Sequence, residues 1–166
     1  MRIILWHVPL TSHATFYMAG GKHCDTVTSV ILRIDTDCGL HGWGEVCPIP
    51  HYLPAYAHGV APAIENMAHV LLGADPIGPE ALMDRLDRHL IGHPYAKSAI
   101  DTALWDLTAQ AAGLPLYALL GGRQQGDMPL YHSITCVDPD QMAGIAADAP
   151  ANGMTQFQDK LGASGG

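Results

Sequence analysis

The chain has 166 residues, of which 48% are hydrophobic and 14% charged, so it can bury a sizeable hydrophobic core. Acidic residues outnumber basic ones by 16 to 8, and no lysine or arginine cluster accompanies the net charge of -8, which excludes nucleic acid as an expected partner. No apolar stretch is long enough to span a bilayer, and the first residues lack the pattern of a cleavable signal. We therefore expect no membrane partner and a cytoplasmic location.

Three strands are predicted in the first third of the chain. Residues 2–8 and 27–35 are rich in Ile, Val, Leu and Thr, and apolar positions alternate along the second run. The sequence TDCG at residues 36–39 supplies a turn, and residues 40–45 return as a third strand. This pattern predicts an antiparallel meander with helices covering it.

The middle of the chain predicts one loop and three helices. Residues 47–59, CPIPHYLPAYAHG, contain three prolines and two tyrosines, which indicates an ordered loop that displays aromatic side chains. Helical spacing of apolar residues then predicts helices over residues 61–72, 79–90 and 95–112. The last has the clearest apolar stripe and is expected to be the most buried.

Cysteine and histidine spacing gives little support for a disulfide or metal site. The four cysteines show no CxxC spacing, which is typical of reduced thiols in a cytosolic protein. His89 and His93 have the i, i+4 spacing of two metal ligands on one helical face, but Gly92 and Pro94 interrupt that helix. We interpret this segment as a helix end followed by a loop.

The last part of the chain predicts a β-α-β unit. Residues 129–136 and 154–161 are expected as strands and residues 139–149 as an alanine-rich helix between them, which is how an α/β barrel begins. Lys160 would lie at the carboxyl end of the second strand. Because active sites of such barrels gather at that face, Lys160 is a candidate proton-transfer group.

Several motifs in the same order resemble those of one family. They are GWGE at residues 42–45 followed by CP, GHPYAKSAIDTALWDL at residues 92–107, and AGLPLYALLGGR at residues 112–123. Together they resemble the N-terminal portion of enolase-superfamily proteins, more narrowly of the mandelate racemase and muconate lactonizing branch. The resemblance implies an α+β capping domain at residues 1–125, with an antiparallel β meander plus helices. It implies the first βαβ unit of a modified TIM barrel, incomplete in this chain, at residues 126–166.

The resemblance also implies a reaction and a cofactor. Proteins similar to this chain abstract a proton α to a carboxylate and stabilise the resulting enediolate on magnesium, because such a proton is only weakly acidic. We therefore expect a small carboxylate substrate and Mg²⁺, whose ligands lie on later barrel strands, so that no metal ligand is expected in this chain. A homo-oligomer is expected if the barrel is completed.

Two residues of the last predicted strand carry the implied chemistry. Lys160 matches the end of the family's Lys-x-Lys motif, which implies an acid/base catalyst that acts through its neutral amine. Gln158 occupies the position of the motif's first lysine. The resulting Gln-x-Lys pattern resembles that of a subgroup acting on hydroxyproline and proline betaines. Gln158 could orient substrate without adding charge, since side chains two apart share a face. Asp159 would then face the covering helices, where an unpartnered carboxylate is costly. The alternative is that Lys160 is simply a solvated charge with no catalytic role.

The resemblance implies substrate contacts in two cap loops that close over the barrel mouth, residues 12–24 and 47–59. In the second, Tyr52 could bind a substituted ammonium by a cation–π interaction of about 0.5–2 kcal/mol. The other candidate substrate-binding residues are Phe16, Tyr17, Met18 and His51. The alternative is that these aromatic residues only pack the loops against the cap.

Two hypotheses from different classes follow. In the first, the chain is the N-terminal portion of a magnesium-dependent dehydratase or epimerase acting on a hydroxyproline or proline betaine, or, as His51 and His58 allow, an acid-sugar dehydratase. In the second it is a catalytically inert cap-domain remnant. Within the long motif we expect Asp101 and Asp106 to have capping and packing roles rather than catalytic ones.

Overall fold

The computed structural model describes residues 1–50, 55–124 and 126–159. Contacts within the chain divide it into two compact units, which we describe separately. The first unit holds Met1–Leu10 and Val27–Arg123, and the second holds Thr11–Thr26 and Gln124–Gly166. The predicted fold class is confirmed, since an antiparallel sheet with helices is followed by a parallel β-α-β unit. The domain boundary at residue 125 stays a prediction.

The sheet of the first unit is the predicted meander. Its strands are β1 (Arg2–Tyr17), β2 (His23–Asp35) and β3 (His41–Val46), in the order β1-β2-β3. β2 pairs antiparallel with β3, and Arg33 lies opposite Trp43. Alternate residues of β2, namely Val30, Leu32 and Ile34, are fully buried, so one face of the strand belongs to the core.

The structure corrects the expectation of a loop over residues 12–24. β1 continues to Tyr17 and β2 already begins at His23, with a short 3-10 helix, Ala19–Gly21, between them. Thr15, Phe16 and Tyr17 are residue types with high β propensity, and β1 is the neighbour of β2 in the sheet. The segment is therefore the far end of a long hairpin.

Four helices of the first unit follow the sheet. They are α1 (Ala57–Leu71), α2 (Pro79–His89), α3 (Pro94–Ala112) and the short α4 (Leu116–Leu119). The three longer ones confirm the predicted helices, but α1 begins four residues earlier than expected because it accommodates Pro62 inside the helix. α3 packs against β3, and α1 and α2 pack against α3 and each other. The buried side chains of the three helices and of β2 form one core, whose fully buried members include Met67, Leu71, Leu86, Ile100 and Leu104.

Two glycines of β3 explain how closely α3 approaches the sheet. A Cβ atom on Gly44 would lie 1.9 Å from the carbonyl oxygen of Ala99, and one on Gly42 would lie 2.2 Å from that of Ala103. Both distances are far below any real contact, so only glycine allows this spacing. The GWGE motif is therefore required by packing at these two positions.

The second unit contains the parallel pair. β4 (Tyr131–Ser133) and β5 (Gln156–Gln158) are joined by α5 (Pro139–Asp148) and a 3-10 helix, Ala149–Asn152. The strands pair in parallel, with Ser133 opposite Gln158. Each of these strands is three residues long, which is shorter than predicted.

Candidate functional site

The carboxyl ends of β4 and β5 lie side by side and present polar groups. The amide of Ile134 donates to the carbonyl oxygen of Gln158 at 3.0 Å, and Ser133 Oγ donates to Gln158 Oε1 at 3.3 Å. His132, between Tyr131 and Ser133, instead lines a cavity with Ile145 of α5. Because side chains alternate along a strand, Ser133 and Gln158 occupy the face away from that helix. In a complete barrel this face would be the lumen.

The next residues of the second strand carry the predicted acid/base chemistry. Lys160 lies outside the described residues, so its position on the same face as Gln158 stays a prediction. Asp159 is exposed. The desolvation cost predicted for its carboxylate therefore does not arise in this chain and stays a prediction for a complete barrel.

The end of β1 is attached to the chain just beyond β4. The amide of Tyr17 donates to Thr135 Oγ1 at 2.6 Å, and Thr135 Oγ1 donates back to the carbonyl oxygen of Tyr17 at 3.3 Å. The amide of Cys136 donates to that same carbonyl oxygen at 3.0 Å. The hairpin tip is thus held at the carboxyl end of the first parallel strand.

This attachment brings three predicted substrate-binding residues, Phe16, Tyr17 and Met18, to the polar strand ends. Tyr17 is 45% exposed, and its ring lies 6.4 Å from that of His23 across the hairpin. The amide of Met18 donates to the carbonyl oxygen of Lys22 at 2.8 Å, which closes the turn. The two other predicted substrate-binding residues, Tyr52 and His51, lie outside the described residues.

The carboxylates of the long α3 motif lie in the first unit. Asp106 Oδ2 accepts a hydrogen bond from the amide of Trp43 at 2.9 Å, which ties α3 to β3. Burial, and then the negative charge of Glu80, raise the pKa of Asp101 above its usual range. A raised pKa is a common feature of active sites, but Asp101 lies on a packed helix of the cap. This location supports the packing role expected for both residues.

The described residues do not form a magnesium site. Within residues 1–50, 55–124 and 126–159, no three His, Cys, Asp or Glu side chains are grouped closely enough to bind a metal ion. His89 ends α2 and His93 precedes α3, so the two do not share a helical face, and His89 Nε2 lies 3.0 Å from Asn66 Oδ1.

Sequence reasoning missed the two hydroxyl groups at this site. Ser133 and Thr135 alternate with Ile134 in the run YHSITC, which is the pattern of a strand with one polar face. That signal was available in the sequence. The partner of Thr135 was not signalled by the sequence, because Tyr17 lies 118 positions away along the chain.

No helix in the described part of the chain is long and apolar enough to cross a membrane.

Comparison with known proteins identifies relatives over most of the chain. The family model described as the mandelate racemase / muconate lactonizing enzyme N-terminal domain matches residues 1–121. A cis-3-hydroxy-L-proline dehydratase from Roseibium aggregatum is 42% identical over 145 residues, which are 87% of this chain and 40% of that enzyme. An N-succinyl-L-Arg/Lys racemase from Bacillus cereus is 30% identical over 161 residues, which are 96% of this chain and 43% of that enzyme.

A solved structure has the same fold and contains magnesium. An enolase-superfamily member from Roseovarius nubinhibens, crystallised with magnesium, superposes with a TM-score of 0.89 at 40% identity, covering 98% of this chain and 44% of that one. Dipeptide epimerases and D-galactonate dehydratases are also among the relatives. The chain thus spans less than half the length of the relatives it matches.

Proposed function

Because the chain belongs to the mandelate racemase/muconate lactonizing enzyme family, we propose that it forms the N-terminal portion of a dehydratase or epimerase. The enzyme would abstract a proton α to the carboxylate of a hydroxyproline or proline betaine. Similarity to a cis-3-hydroxy-L-proline dehydratase supports this substrate class. We also propose a cytoplasmic location and a homo-oligomeric assembly for the complete enzyme.

The observation that carries the proposal is the polar edge formed by β4 and β5. Gln158 contacts Ser133 on the face away from α5, and strand alternation gives Lys160, two residues later, the same face. The proposed catalyst and the proposed substrate-orienting amide would therefore point into one lumen. Gln158 would bind the substrate carboxylate or ring without adding a charge beside the amine.

Each residue has a distinct proposed role. Lys160 would take the α-proton as a neutral amine and return a proton as the resulting ammonium, which requires its nitrogen to lie within hydrogen-bond reach of that carbon. Phe16 and Met18 would exclude water from the strand ends, and Tyr52 would contact a substituted ammonium through its ring. His51 would contribute a polar contact from the same cap segment as Tyr52.

When bound, magnesium would supply positive charge that offsets the second negative charge of the enediolate. Among the described residues, no three His, Cys, Asp or Glu side chains are grouped closely enough to bind a metal ion. We therefore propose that the ligands belong to the part of the enzyme for which the relatives have additional length. Crystallised relatives that contain magnesium support this cofactor for the family.

A second candidate is an acid-sugar dehydratase. A D-galactonate dehydratase from Variovorax paradoxus is 36% identical over 124 residues, which cover 30% of that enzyme. Residues His51 and His58 would then bind sugar hydroxyl groups. The two candidates differ in whether the substrate carries a ring nitrogen, so direct competition between the substrates separates them.

The test uses the complete enzyme. If the coding sequence continues past Gly166, the natural protein is assayed; if it stops there, this chain is joined to the remaining barrel of the Roseibium aggregatum relative. With Mg²⁺ present, cis-3-hydroxy-L-proline, a proline betaine and D-galactonate are offered as substrates. We expect turnover of one of the first two. Turnover of D-galactonate alone would favour the acid-sugar dehydratase, and no turnover by a folded protein would support the inert remnant.

The role of Lys160 is tested by two substitutions. Lys160→Ala removes the amine, and Lys160→Arg keeps the positive charge but cannot act as a neutral base at ordinary pH. We expect both to lower kcat by about 10²- to 10⁴-fold, which is the usual contribution of acid/base catalysis. Full activity in the Lys160→Arg variant would mean that Lys160 contributes only charge.

A further inference from the structure

The contact between Tyr17 and Thr135 joins two segments of the second unit that are remote in sequence. Both backbone hydrogen-bonding groups of Tyr17 are satisfied there, its amide by Thr135 Oγ1 and its carbonyl oxygen by Thr135 Oγ1 and the amide of Cys136. A hydroxyl group can accept one bond and donate another at the same time. Among side chains of this size, only threonine and serine offer that combination.

We propose that Thr135 is a positioning residue that fixes the tip of the β1–β2 hairpin over the active site. This inference rests on the proposed function, because it assumes that substrate binds at the carboxyl ends of β4 and β5. Thr135 does not touch the reacting atoms. Its hydroxyl group holds the backbone of Tyr17, and the backbone of Tyr17 carries the flanking side chains of Phe16 and Met18.

The register of β4 explains why a side chain at this position can reach the hairpin. Ser133 and Thr135 are two residues apart, so they share the face that also carries Gln158. β4 ends at Ser133, and its two successors Ile134 and Thr135 extend past the paired segment. Thr135 therefore stands at the border between the polar strand ends and the hairpin tip.

The hairpin tip can move as a unit once this contact opens. Gly20 and Gly21 have positive φ values of 74° and 70° in the turn, and the amide of Met18 bonds across it to Lys22, so the tip keeps its own internal structure. Three hydrogen bonds from Tyr17 to Thr135 and Cys136 attach this tip to the chain just beyond β4. Loss of the hydroxyl group removes two of them.

The expected consequence is a change in substrate affinity rather than in the chemical step. A loosened tip leaves Phe16, Tyr17 and Met18 in the binding arrangement for a smaller fraction of the time, and the apparent KM rises in inverse proportion to that fraction. Two hydrogen bonds of ordinary net strength shift such an equilibrium by roughly 5- to 150-fold, and tenfold lies toward the lower end of that range. The value of kcat should remain close to that of the unchanged enzyme, because Thr135 does not touch the reacting atoms.

The first arm of the test uses the chain as it is. Thr135→Val keeps the shape and removes the hydroxyl group, Thr135→Ser keeps the hydroxyl group, and Thr102→Val is the control because Thr102 donates only to the Ser98 carbonyl in α3. We expect hydrogen exchange at the Tyr17 amide to accelerate about tenfold in Thr135→Val and in neither of the others. Unchanged exchange in Thr135→Val would overturn the inference, as would equal acceleration in Thr135→Ser.

The second arm uses the complete enzyme described above. Thr135→Val should raise KM about tenfold at nearly constant kcat, and Thr135→Ser should restore the original KM. Faster exchange at Tyr17 with an unchanged KM would make the contact purely structural and overturn the positioning role. If the unsubstituted enzyme turns over none of the substrates, the proposed function fails, while the exchange result still decides whether Thr135 holds the hairpin tip.

Discussion

Replacing Gly44 by alanine should separate α3 from the sheet. The new Cβ atom would lie 1.9 Å from the carbonyl oxygen of Ala99, and real Cβ contacts are essentially never closer than 3.0 Å, so the helix must retreat by about 1.1 Å. The obstacle is a backbone carbonyl group, which cannot rotate away as a side chain could. Gaps of about 0.5–1 Å already forfeit a quarter to a half of the dispersion attraction between packed atoms.

The magnitude follows from what α3 buries. Ala99, Ile100, Ala103, Leu104 and Leu107 are all 0% exposed, so a retreat of the helix loosens five core side chains at once. Overpacking of a core ordinarily costs about 1–3 kcal/mol. Because the clash here involves backbone and displaces a whole helix, we expect Gly44→Ala to lower the free energy of unfolding by at least about 3 kcal/mol.

The measurement is urea unfolding followed by tryptophan fluorescence, since Trp43 is adjacent to the substituted position. Gly144→Ala is the matched control, because Gly144 is a helical glycine of α5 whose added Cβ would meet nothing within 4 Å. That control should gain about 0.5–1 kcal/mol from helix propensity. A loss below about 1 kcal/mol in Gly44→Ala, with an unchanged dependence on urea, would refute the inferred spacing of α3 and β3.

Two further predictions concern charged groups of the first unit. Lys97→Met removes the ammonium group that donates to Asp87 Oδ1 at 2.7 Å and to a backbone carbonyl group. Because the lysine side chain is only 8% exposed, we expect urea unfolding to show a free energy of unfolding lowered by about 1–3 kcal/mol. A variant as stable as the original chain would contradict this. Hydrogen bonding from Arg2, with Arg33 and His41 also in contact, lowers the pKa of Asp35 from 3.8 to about 2. Its contribution to stability is therefore complete above pH 3.8 and is lost as the pH falls through about 2, so the stability difference between the original chain and Asp35→Asn should shrink across that window. A stability difference between the two proteins that is independent of pH would refute the lowered pKa of Asp35.

The sequence alone determined the architecture of the first unit. Alternation of Val30, Leu32 and Ile34 identified a strand with one buried face, and the apolar stripe ending at Gly113 identified α3. Both signals are local, because the period of a strand or helix is written within a few residues. The motif containing Gly42 was recognised as well, although its packing reason required the position of the facing helix.

Tertiary structure decided the lengths of the strands and the contacts of the candidate site. The resemblance implied a loop over residues 12–24, whereas β1 continues to Tyr17, whose amide and carbonyl oxygen are hydrogen-bonded to Thr135 and Cys136. The attachment of Tyr17 to Thr135 spans 118 positions. No periodicity encodes such a partner, because it depends on where two separately formed elements meet in space.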